Sequence, residues 1–420
     1  MMMTENRDIQ IPRPGVIGPE NLASGALSSG DPAPGVLPPP KRRPFQWIER
    51  GWKKIWFPVL VQFARMLPSY PMPDWRRDPV RILFLRPDRI GDAIVSTGIF
   101  REIVASNPRV RLDVLGTPRN QAVLRASPYL STVHTLDHRR PWSWFGLMRQ
   151  LRAARYDAVI DCMVTARSMA TLPVLVSCGA RHRIGIAGRG IDGALTVPVP
   201  PRPGAAHIID HLSAFGRVFG IDPDQGDWRP ELAVTDNDRM RAENVWRGAS
   251  FTPGEEAGER SAAISGEGAG DPAGDCARVL VNLSAGSRVR VWPDERFVAT
   301  IRHLKMRLPG APVFVIGAPD ERERVERVAE LAGARAVSTP RFADMVALVS
   351  TATFLLTPDT SVAHVASATR TPAVVLYPAG KRSLWRLYGS PGISLEASER
   401  VLANYPLEPV LEAVDQLLGF

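Results

Sequence analysis

Four short stretches place chemically capable side chains directly after runs of apolar residues, where a buried strand would end. The first, RPDRIGD at residues 86–92, follows the apolar run RILFL. In it, Asp92 is a candidate general base, Arg86 and Arg89 are candidate contacts for an anionic substrate, and Gly91 permits a tight turn. The alternative is that Asp92 only caps the next helix by accepting backbone N–H groups.

The second stretch, SAGSRVRVWP at residues 284–293, follows another apolar run. Its small residues come just before Arg288 and Arg290, so that backbone and guanidinium groups can approach phosphate oxygens together. This pattern favours binding of a phosphate or diphosphate. A solvated basic loop with no ligand is the alternative.

The third stretch, PDTSVAH at residues 358–364, lies between a predicted strand and a predicted helix. The hydroxyls of Thr360 and Ser361 and the free N–H groups at the helix start form a candidate anion seat, which the helix dipole favours. His364 lies one turn further along, on the same face as Ser361. A single helical histidine is more often packed than catalytic, and both interpretations of His364 stay open.

The fourth stretch, GAPDE at residues 317–321, is a further turn at the end of a predicted strand. The carboxylates of Asp320 and Glu321 are candidates to accept ribose hydroxyls, although acidic residues at a helix start are explained equally well by the helix dipole. Each stretch is weak evidence alone. Four of them at strand ends, in order along the chain, are much stronger evidence for a functional site.

The elements that would position these residues form two blocks. The first block contains predicted strands at 81–86, 111–116, 133–137, 157–162 and 183–186, with helices at 93–106, 144–155 and 207–219. The second contains predicted strands at 277–284, 312–317, 353–357 and 373–378, with helices at 294–308, 320–333, 342–352 and 361–369. Strands that alternate with helices predict two parallel-sheet α/β domains, at 80–235 and 278–420. Such sheets bind ligands at the carboxyl ends of their strands.

The rest of the chain differs in composition. Residues 1–40 contain thirteen Pro or Gly residues and no aromatic residue, which predicts a disordered tail. Residues 41–79 are basic and aromatic, and their apolar run is too short to span a bilayer. They are interpreted either as a segment that lies on a membrane surface or as a helix that packs on the following domain. Residues 236–277 are predicted as a linker with a flexible, glycine-rich insertion at 253–277.

Composition and motifs exclude several classes of function. The three cysteines form no C-x-x-C pair, so neither a disulfide scaffold nor a zinc ribbon is expected, and a reducing compartment fits. The string GAGDPA at residues 268–273 follows no strand and is not a dinucleotide fingerprint. The net charge of +9 indicates an anionic partner, but no nucleic-acid recognition motif is present and much of the excess lies in residues 41–54.

Several stretches together resemble glycosyltransferase family 9, the lipopolysaccharide heptosyltransferases and their relatives. The resemblance runs from about Arg81 to the C-terminus and is interrupted at 253–277. It is carried by ILFLRPDRIGDAIVSTGIFREI, RAARYDAVIDC, VWPDERFVATIRHL and FLLTPDTSVAHVASATRTPAVVLY. Ser361 stands where the family usually has Gly, and YPAG at 377–380 replaces a usual Gly-Pro-Thr ending. These departures leave the identity of the sugar donor open.

The resemblance implies a GT-B fold, in which two Rossmann-like domains face each other across a cleft. The C-terminal domain would bind the nucleotide sugar and the N-terminal domain the acceptor. Asp92 matches the family's catalytic base, and Arg290 falls where the family has a diphosphate-binding lysine. The remaining expected contacts are Arg288, Asp359, Thr360, Ser361 and His364 for the diphosphate; Ser284, Gly317, Asp320 and Glu321 for the nucleoside; and Arg86, Asp88, Arg89, Gly91 and Arg167 for the acceptor.

The resulting hypothesis is an inverting glycosyltransferase that needs no metal and no cofactor besides its nucleotide-sugar substrate. ADP-heptose is the candidate donor, and a lipopolysaccharide core or another lipid-linked cell-surface glycan is the candidate acceptor. The expected location is the cytoplasm, at the inner membrane if residues 41–77 bind its surface. Two alternatives stay open: a GT-B transferase that uses another nucleotide sugar, and a non-catalytic relative that binds nucleotide or glycan.

Overall fold

The computed structural model describes residues 46–137, 139–140, 142–164, 170–248, 251 and 277–420. The predicted tail 1–40, nearly all of the insertion 253–277 and Arg167 lie outside the described residues. Among the residues that are described, no helix combines the length and the apolar character needed to cross a membrane.

Helices and strands alternate along most of the described chain. The helices are α1 Gln46–Arg65, α2 Ile90–Ile94, α3 Thr97–Ser106, α4 Gln121–Arg125, α5 Ser143–Ala153, α6 Thr171–Ser177, α7 Ile208–Ser213, α8 Asp236–Trp246, α9 Asp294–Arg307, α10 Arg322–Ala332, α11 Phe342–Ser350, α12 Ser361–Thr369, α13 Arg382–Trp385 and α14 Glu408–Leu418. The strands are β1 Arg81–Leu85, β2 Arg111–Gly116, β3 Thr132–Thr135, β4 Ala158–Asp161, β5 His182–Ile186, β6 Val197–Val199, β7 Val279–Asn282, β8 Val313–Ile316, β9 Arg335–Ala336, β10 Phe354–Pro358, β11 Ala373–Tyr377 and β12 Gly392–Glu396.

The first sheet has the strand order β3-β2-β1-β4-β5-β6, with every neighbouring pair parallel. Its central strand β1 is buried on both faces, which is why it appears in the sequence as an uninterrupted apolar run. Leu85, the last residue of β1, lies in register with Leu115 of β2 and Asp161 of β4. The residues that follow these strands therefore emerge side by side at one edge of the sheet.

The second sheet has the order β12-β11-β10-β7-β8-β9 and is also parallel throughout. The prediction of two parallel-sheet α/β domains is confirmed. The outer strands β6, β9 and β12 were not predicted. Strand β9 has only two residues, and β12 is only partly buried along its length, so neither produces a continuous apolar run in the sequence.

Helix α8 lies in the segment that we predicted as a linker, and it is not a free connection. The indole of Trp246 stacks on the ring of Phe314 in β8, with centroids 4.2 Å apart, and donates a hydrogen bond to Thr351 Oγ1 at 2.9 Å. The helix therefore packs on the second sheet. Its sequence, DNDRMRAENVW, is mostly polar, so the spacing of its few buried residues does not indicate a helix in the sequence.

Helix α1 packs on the first sheet through one face. Phe57 and Ala64 are buried in the cluster that covers β1 and β4, and Arg183 Nη2 donates to the Ala64 carbonyl at 3.3 Å. This contact agrees with the interpretation of the segment as a helix packed on the following domain. The opposite face of α1 is exposed from residue 56 onward.

Replacing each of two glycines with alanine distinguishes the effect of tertiary packing on stability from the effect of helix propensity. A methyl group at Gly98 in α3 would collide with the main-chain carbonyl oxygen of Trp228, whereas one at the exposed Gly146 in α5 meets nothing within 4 Å. We expect Gly98→Ala to lower the free energy of unfolding by about 1–3 kcal/mol. We expect Gly146→Ala to raise it by up to about 1 kcal/mol. Urea unfolding measures both changes, and equal effects would contradict this packing.

Candidate active site

The carboxylate of Asp92 lies at the start of α2, directly beyond the carboxyl end of β1. Its Oδ2 accepts a hydrogen bond from the Arg89 backbone N–H at 3.3 Å, and its side chain is 21% exposed. Oδ1 lies 3.9 Å from Nη2 of Arg86. Asp92 thus does cap its helix, as the alternative interpretation held. Capping takes one oxygen, and about a fifth of the side chain remains exposed.

Arg86 is buried beneath Asp92. Its Nε donates to the Asp92 carbonyl at 2.9 Å, and Nη1 contacts both Asp88 Oδ2 at 3.3 Å and Cys162 Sγ at 3.0 Å. Only 2% of the residue is exposed, and among the described residues Nη2 has no hydrogen-bond partner. Burial raises the pKa of the Cys162 thiol, which therefore stays protonated beside this cation. This geometry suits a residue that positions Asp92 better than one that faces a substrate.

The loop at the end of β10, residues 358–361, which we predicted to bind the donor and call the donor loop, is organised around Asp359. Arg290 Nη1 donates to the Asp359 carbonyl at 2.9 Å, and Arg290 Nε lies 3.3 Å from Asp359 Oδ2. Burial raises the pKa of Asp359, and the charge of Arg290 opposes this shift. Thr360 caps α12 by accepting the N–H of Val362 at 3.3 Å, and Asn282 donates to Thr360 Oγ1, also at 3.3 Å. The loop is therefore held in place by β7 and by the 3₁₀ turn that contains Arg290.

The other predicted donor contacts surround this loop at different depths. Arg288 is exposed, whereas Ser284 and Ser361 are partly buried. A methyl group at Gly317 would lie 3.7 Å from Ser284 Oγ, so the ends of β7 and β8 lie close together. Glu321 accepts a hydrogen bond from Arg324 at 3.0 Å, while Asp320 is exposed at the start of the same turn. The contact to Arg324 favours a structural role for Glu321.

His364 packs between the two domains. Its ring lies against α2, where a methyl group added to Gly91 would come within 2.7 Å of His364 Cδ2. The ring of Trp385 lies on another side, with centroids 5.6 Å apart. Burial lowers the pKa of His364 to about 4, so the ring is neutral at pH 7. His364 therefore joins α12 to α2, and the packed interpretation describes it better than an anion contact does.

A second contact joins the domains away from Asp92. His207, at the N-terminus of α7, places Nε2 2.9 Å from the Arg386 carbonyl, and Tyr388 OH donates to Asp210 Oδ1 at 3.1 Å. Burial lowers the pKa of His207 to about 3, so it is a neutral ring at pH 7. Neither His207 nor Tyr388 was singled out from the sequence, because each bonds to a partner almost 180 residues away along the chain.

Asp92 of the first domain and Arg290 of the second both lie near His364, where the domains meet. Arg89 is exposed and interacts electrostatically with both Asp88 and Asp359, so it lies between the predicted acceptor and donor residues. Lys381 also acts on Asp359 and was missed in the sequence. The sequence did indicate Lys381 as a candidate, because this basic residue directly follows the turn after strand β11. Within the described ranges, no three His, Cys, Asp or Glu side chains are grouped to hold a metal ion.

Comparison with known proteins identifies the family of the chain. Residues 144–403 match the model of glycosyltransferase family 9 (heptosyltransferase). Lipopolysaccharide heptosyltransferase 3 of Escherichia coli K12 is 22% identical over 78% of this chain and 95% of its own length. The lipopolysaccharide core heptosyltransferase OpsX of Haemophilus influenzae is 21% identical over 73% of this chain and 81% of its own length.

Solved structures show the same fold at low sequence identity. A family 9 glycosyltransferase from Veillonella parvula aligns with a TM-score of 0.65 at 16% identity, covering 81% of this chain and 97% of its own. E. coli heptosyltransferase WaaC, solved with ADP, aligns with a TM-score of 0.60 at 18% identity, covering 80% of this chain and 99% of its own. The predicted GT-B fold is confirmed. Because the family match spans more than half of the sequence, the chain belongs to glycosyltransferase family 9, the heptosyltransferase family.

Proposed function

We propose that this glycosyltransferase moves a sugar from a nucleotide sugar to a hydroxyl of a glycan acceptor by an inverting displacement that needs no metal. The observation that carries the proposal is the packing of α2 on α12. It brings the Asp92 carboxylate and the loop of Arg290 and Asp359 to one cleft. The expectation that Asp92 is the base and that these residues bind the donor rests on this juxtaposition.

In the proposed reaction, the acceptor hydroxyl attacks the anomeric carbon while Asp92 removes its proton. The bond from that carbon to the diphosphate oxygen breaks, and the electron pair leaves with the nucleoside diphosphate. A single displacement from the opposite face inverts the anomeric centre. Arg290 and Arg288, together with the positive end of the α12 dipole, would stabilise the negative charge that develops on the leaving group.

The donor is proposed to be ADP-heptose, and the acceptor to belong to the lipopolysaccharide core. Relatives that span most of this chain are lipopolysaccharide heptosyltransferases by name. A structure of E. coli WaaC contains ADP-2-deoxy-2-fluoro heptose. Another nucleotide sugar remains the alternative donor. A non-catalytic relative would bind the nucleotide and release no product.

Replacement of the proposed base tests the reaction. Asp92→Asn keeps the size of the side chain and removes its ability to take a proton, so we expect kcat to fall by about 10²–10⁴-fold. Binding of ADP should change little. ADP release from ADP-heptose with a truncated lipopolysaccharide acceptor measures the rate, and a thermal shift measures binding. Asp236→Asn, on the exposed start of α8, is the matched control. Full turnover by Asp92→Asn would refute the mechanism.

The contact between the domains can be tested independently of the base. Gly91→Ala introduces a methyl group 2.7 Å from the buried His364 ring, which we expect to push α2 away from α12 and lower kcat. His364→Ala removes the ring that the methyl group meets. The double variant should therefore be less impaired than the product of the two single effects, as measured in a double-mutant cycle. Strictly multiplicative effects would show that this contact does not align the site.

Membrane association is proposed for the exposed face of α1. Trp56, Val59 and Phe63 of α1, and Met66 directly after its end, recur at helical spacing and are 42%, 49%, 50% and 78% exposed. They continue a segment that contains six Lys or Arg residues between positions 41 and 54. Apolar and aromatic side chains beside basic ones suit an anionic lipid surface, where a lipid-linked acceptor would be met.

Vesicle binding tests this surface. Burying one large apolar side chain contributes about 1.5–3 kcal/mol, so the double variant Trp56→Ser/Phe63→Ser should bind phosphatidylglycerol vesicles at least tenfold more weakly. Met306→Ser, which removes a 73% exposed side chain from α9, should bind like the wild type. Cosedimentation of the full chain measures binding, with phosphatidylcholine vesicles as the neutral comparison. Unchanged binding of the double variant would exclude this face as the anchor.

A further inference from the structure

A cavity of about 170 Å³ lies between the C-terminal end of α1 and the loop that joins α6 to β5. Phe63 and Leu67 contribute apolar walls, and Arg152 and Arg183 are the charged side chains of its lining. We call this space the Arg183 cavity. One water needs about 10–15 Å³ and a whole small molecule about 300–1,000 Å³, so the cavity suits one polar group of a larger ligand.

The Arg183 cavity lies at the opposite edge of the first sheet from Asp92. Arg183 is the second residue of β5 and lies in register with Val159, the second residue of β4. Asp92 instead follows the carboxyl end of β1. Parallel sheets bind their substrates at the carboxyl ends of the strands. The cavity is therefore separate from the candidate active site, and the proposed displacement uses neither of its arginines.

Arg183 is a buried cation that has no carboxylate partner among the described residues. Only 5% of the residue is exposed. Its Nε donates to the Ala194 carbonyl at 2.7 Å, and Nη2 donates to the Ala64 carbonyl of α1 at 3.3 Å. Burial lowers the pKa of Arg183, yet a guanidinium keeps its proton in proteins. A buried charge is costly unless it is paired, so an anion in the cavity would stabilise this side chain.

Arg152 brings a second guanidinium to the same space. Its Nε donates to the Ser177 carbonyl at the end of α6, at 2.8 Å, and a methyl group added to Gly179 would lie 3.4 Å from its Cγ. Arg152 is exposed and forms no ion pair with a described residue. None of the described residues that line the cavity is acidic. Two guanidinium groups, which only donate, match a phosphate group, which accepts through several oxygens.

The cavity is continuous with the exposed apolar face of α1. Phe63 lines the cavity and is also half exposed on that face. Tyr70, another residue of the lining, is 45% exposed, and the guanidinium of Arg181 lies 5.9 Å from its ring centroid. A ligand whose phosphate lies between the two arginines can therefore cover Phe63 with an apolar tail.

We infer that the Arg183 cavity binds the phosphate of one anionic phospholipid while α1 lies on the membrane surface. The choline of a neutral lipid would bring another cation to two arginines, and no described residue of the lining is acidic to receive it. Free phosphate has the matching charge but no apolar part to cover Phe63. The inference rests on the membrane association proposed for α1, and it adds the lipid group that this surface recognises.

Calorimetric titration in solution tests the cavity without a membrane. The full chain, with saturating ADP to fill the donor site, is titrated with dihexanoyl phosphatidic acid below its micelle concentration, with dihexanoyl phosphatidylcholine and with inorganic phosphate. We expect phosphatidic acid to bind about tenfold more tightly than either of the others, because it alone joins the charge to an apolar tail. Equal binding of inorganic phosphate would identify a site for the free ion and overturn the lipid. Equal binding of phosphatidylcholine, or no binding of phosphatidic acid, would overturn the cavity as a phosphate site.

Two arginines of α5 provide matched variants. Arg152→Gln and Arg149→Gln each remove one exposed positive charge from the same helix, but only Arg152 lines the cavity. We expect Arg152→Gln to weaken phosphatidic acid binding about fivefold or more, and Arg149→Gln to leave it unchanged. Arg183→Gln should also weaken binding, and its thermal unfolding temperature shows whether this variant is folded. Equal effects of the two α5 variants would indicate attraction by overall charge and overturn the cavity.

Failure of the proposed membrane association gives a different result from failure of the cavity. A chain that binds phosphatidic acid in solution but does not cosediment with vesicles would retain the cavity and lose the proposed role of α1. A chain that cosediments with phosphatidylglycerol vesicles but does not bind phosphatidic acid in solution would retain the α1 surface and overturn the cavity.

Discussion

The contact between Gly91 and His364 is the constraint on which the rest of the site depends. Each sheet alone carries only part of the candidate site at its carboxyl edge: Asp92 follows a strand of the first sheet, and Arg290 and Asp359 follow strands of the second. The halves come together because α2 has no side chain at Gly91 and α12 offers a flat ring there. Burial keeps that ring neutral, with a pKa of about 4, so the contact adds no cation beside Arg290. A larger residue at position 91 would separate Asp92 from the donor loop.

Charges in the cleft are balanced locally before any substrate binds. Buried Arg86 faces the carboxylates of Asp88 and Asp92, and Arg290 faces Asp359. A buried charge without a partner is costly, so each cation is held by a carboxylate or a main-chain carbonyl. Arg86 and Arg290 each donate a hydrogen bond of 2.9 Å to a main-chain carbonyl oxygen. These bonds do not depend on whether the neighbouring carboxylates are ionised.

The central strands, and with them the positions of the residues that follow each strand, could be predicted from the sequence, because strands buried on both faces give continuous apolar runs. The sequence could not decide features that depend on a distant neighbour. Both interpretations of His364 were open from its spacing, and the structure shows its ring against α2. Polar α8 was interpreted as a linker, although Trp246 anchors it.

In the proposed reaction, negative charge crosses the cleft from one domain to the other. Asp92 becomes neutral when it takes the proton, while the leaving diphosphate gains charge beside α12. Arg86 thereby loses part of the charge that it balances, and Arg290 gains a second anion beside Asp359. The fixed carbonyl contacts of both arginines keep them in place during this change, so little reorganisation is needed. The neutral rings of His364 and His207 contact the other domain, so these contacts between the two sides do not depend on the charge that the proposed reaction would move.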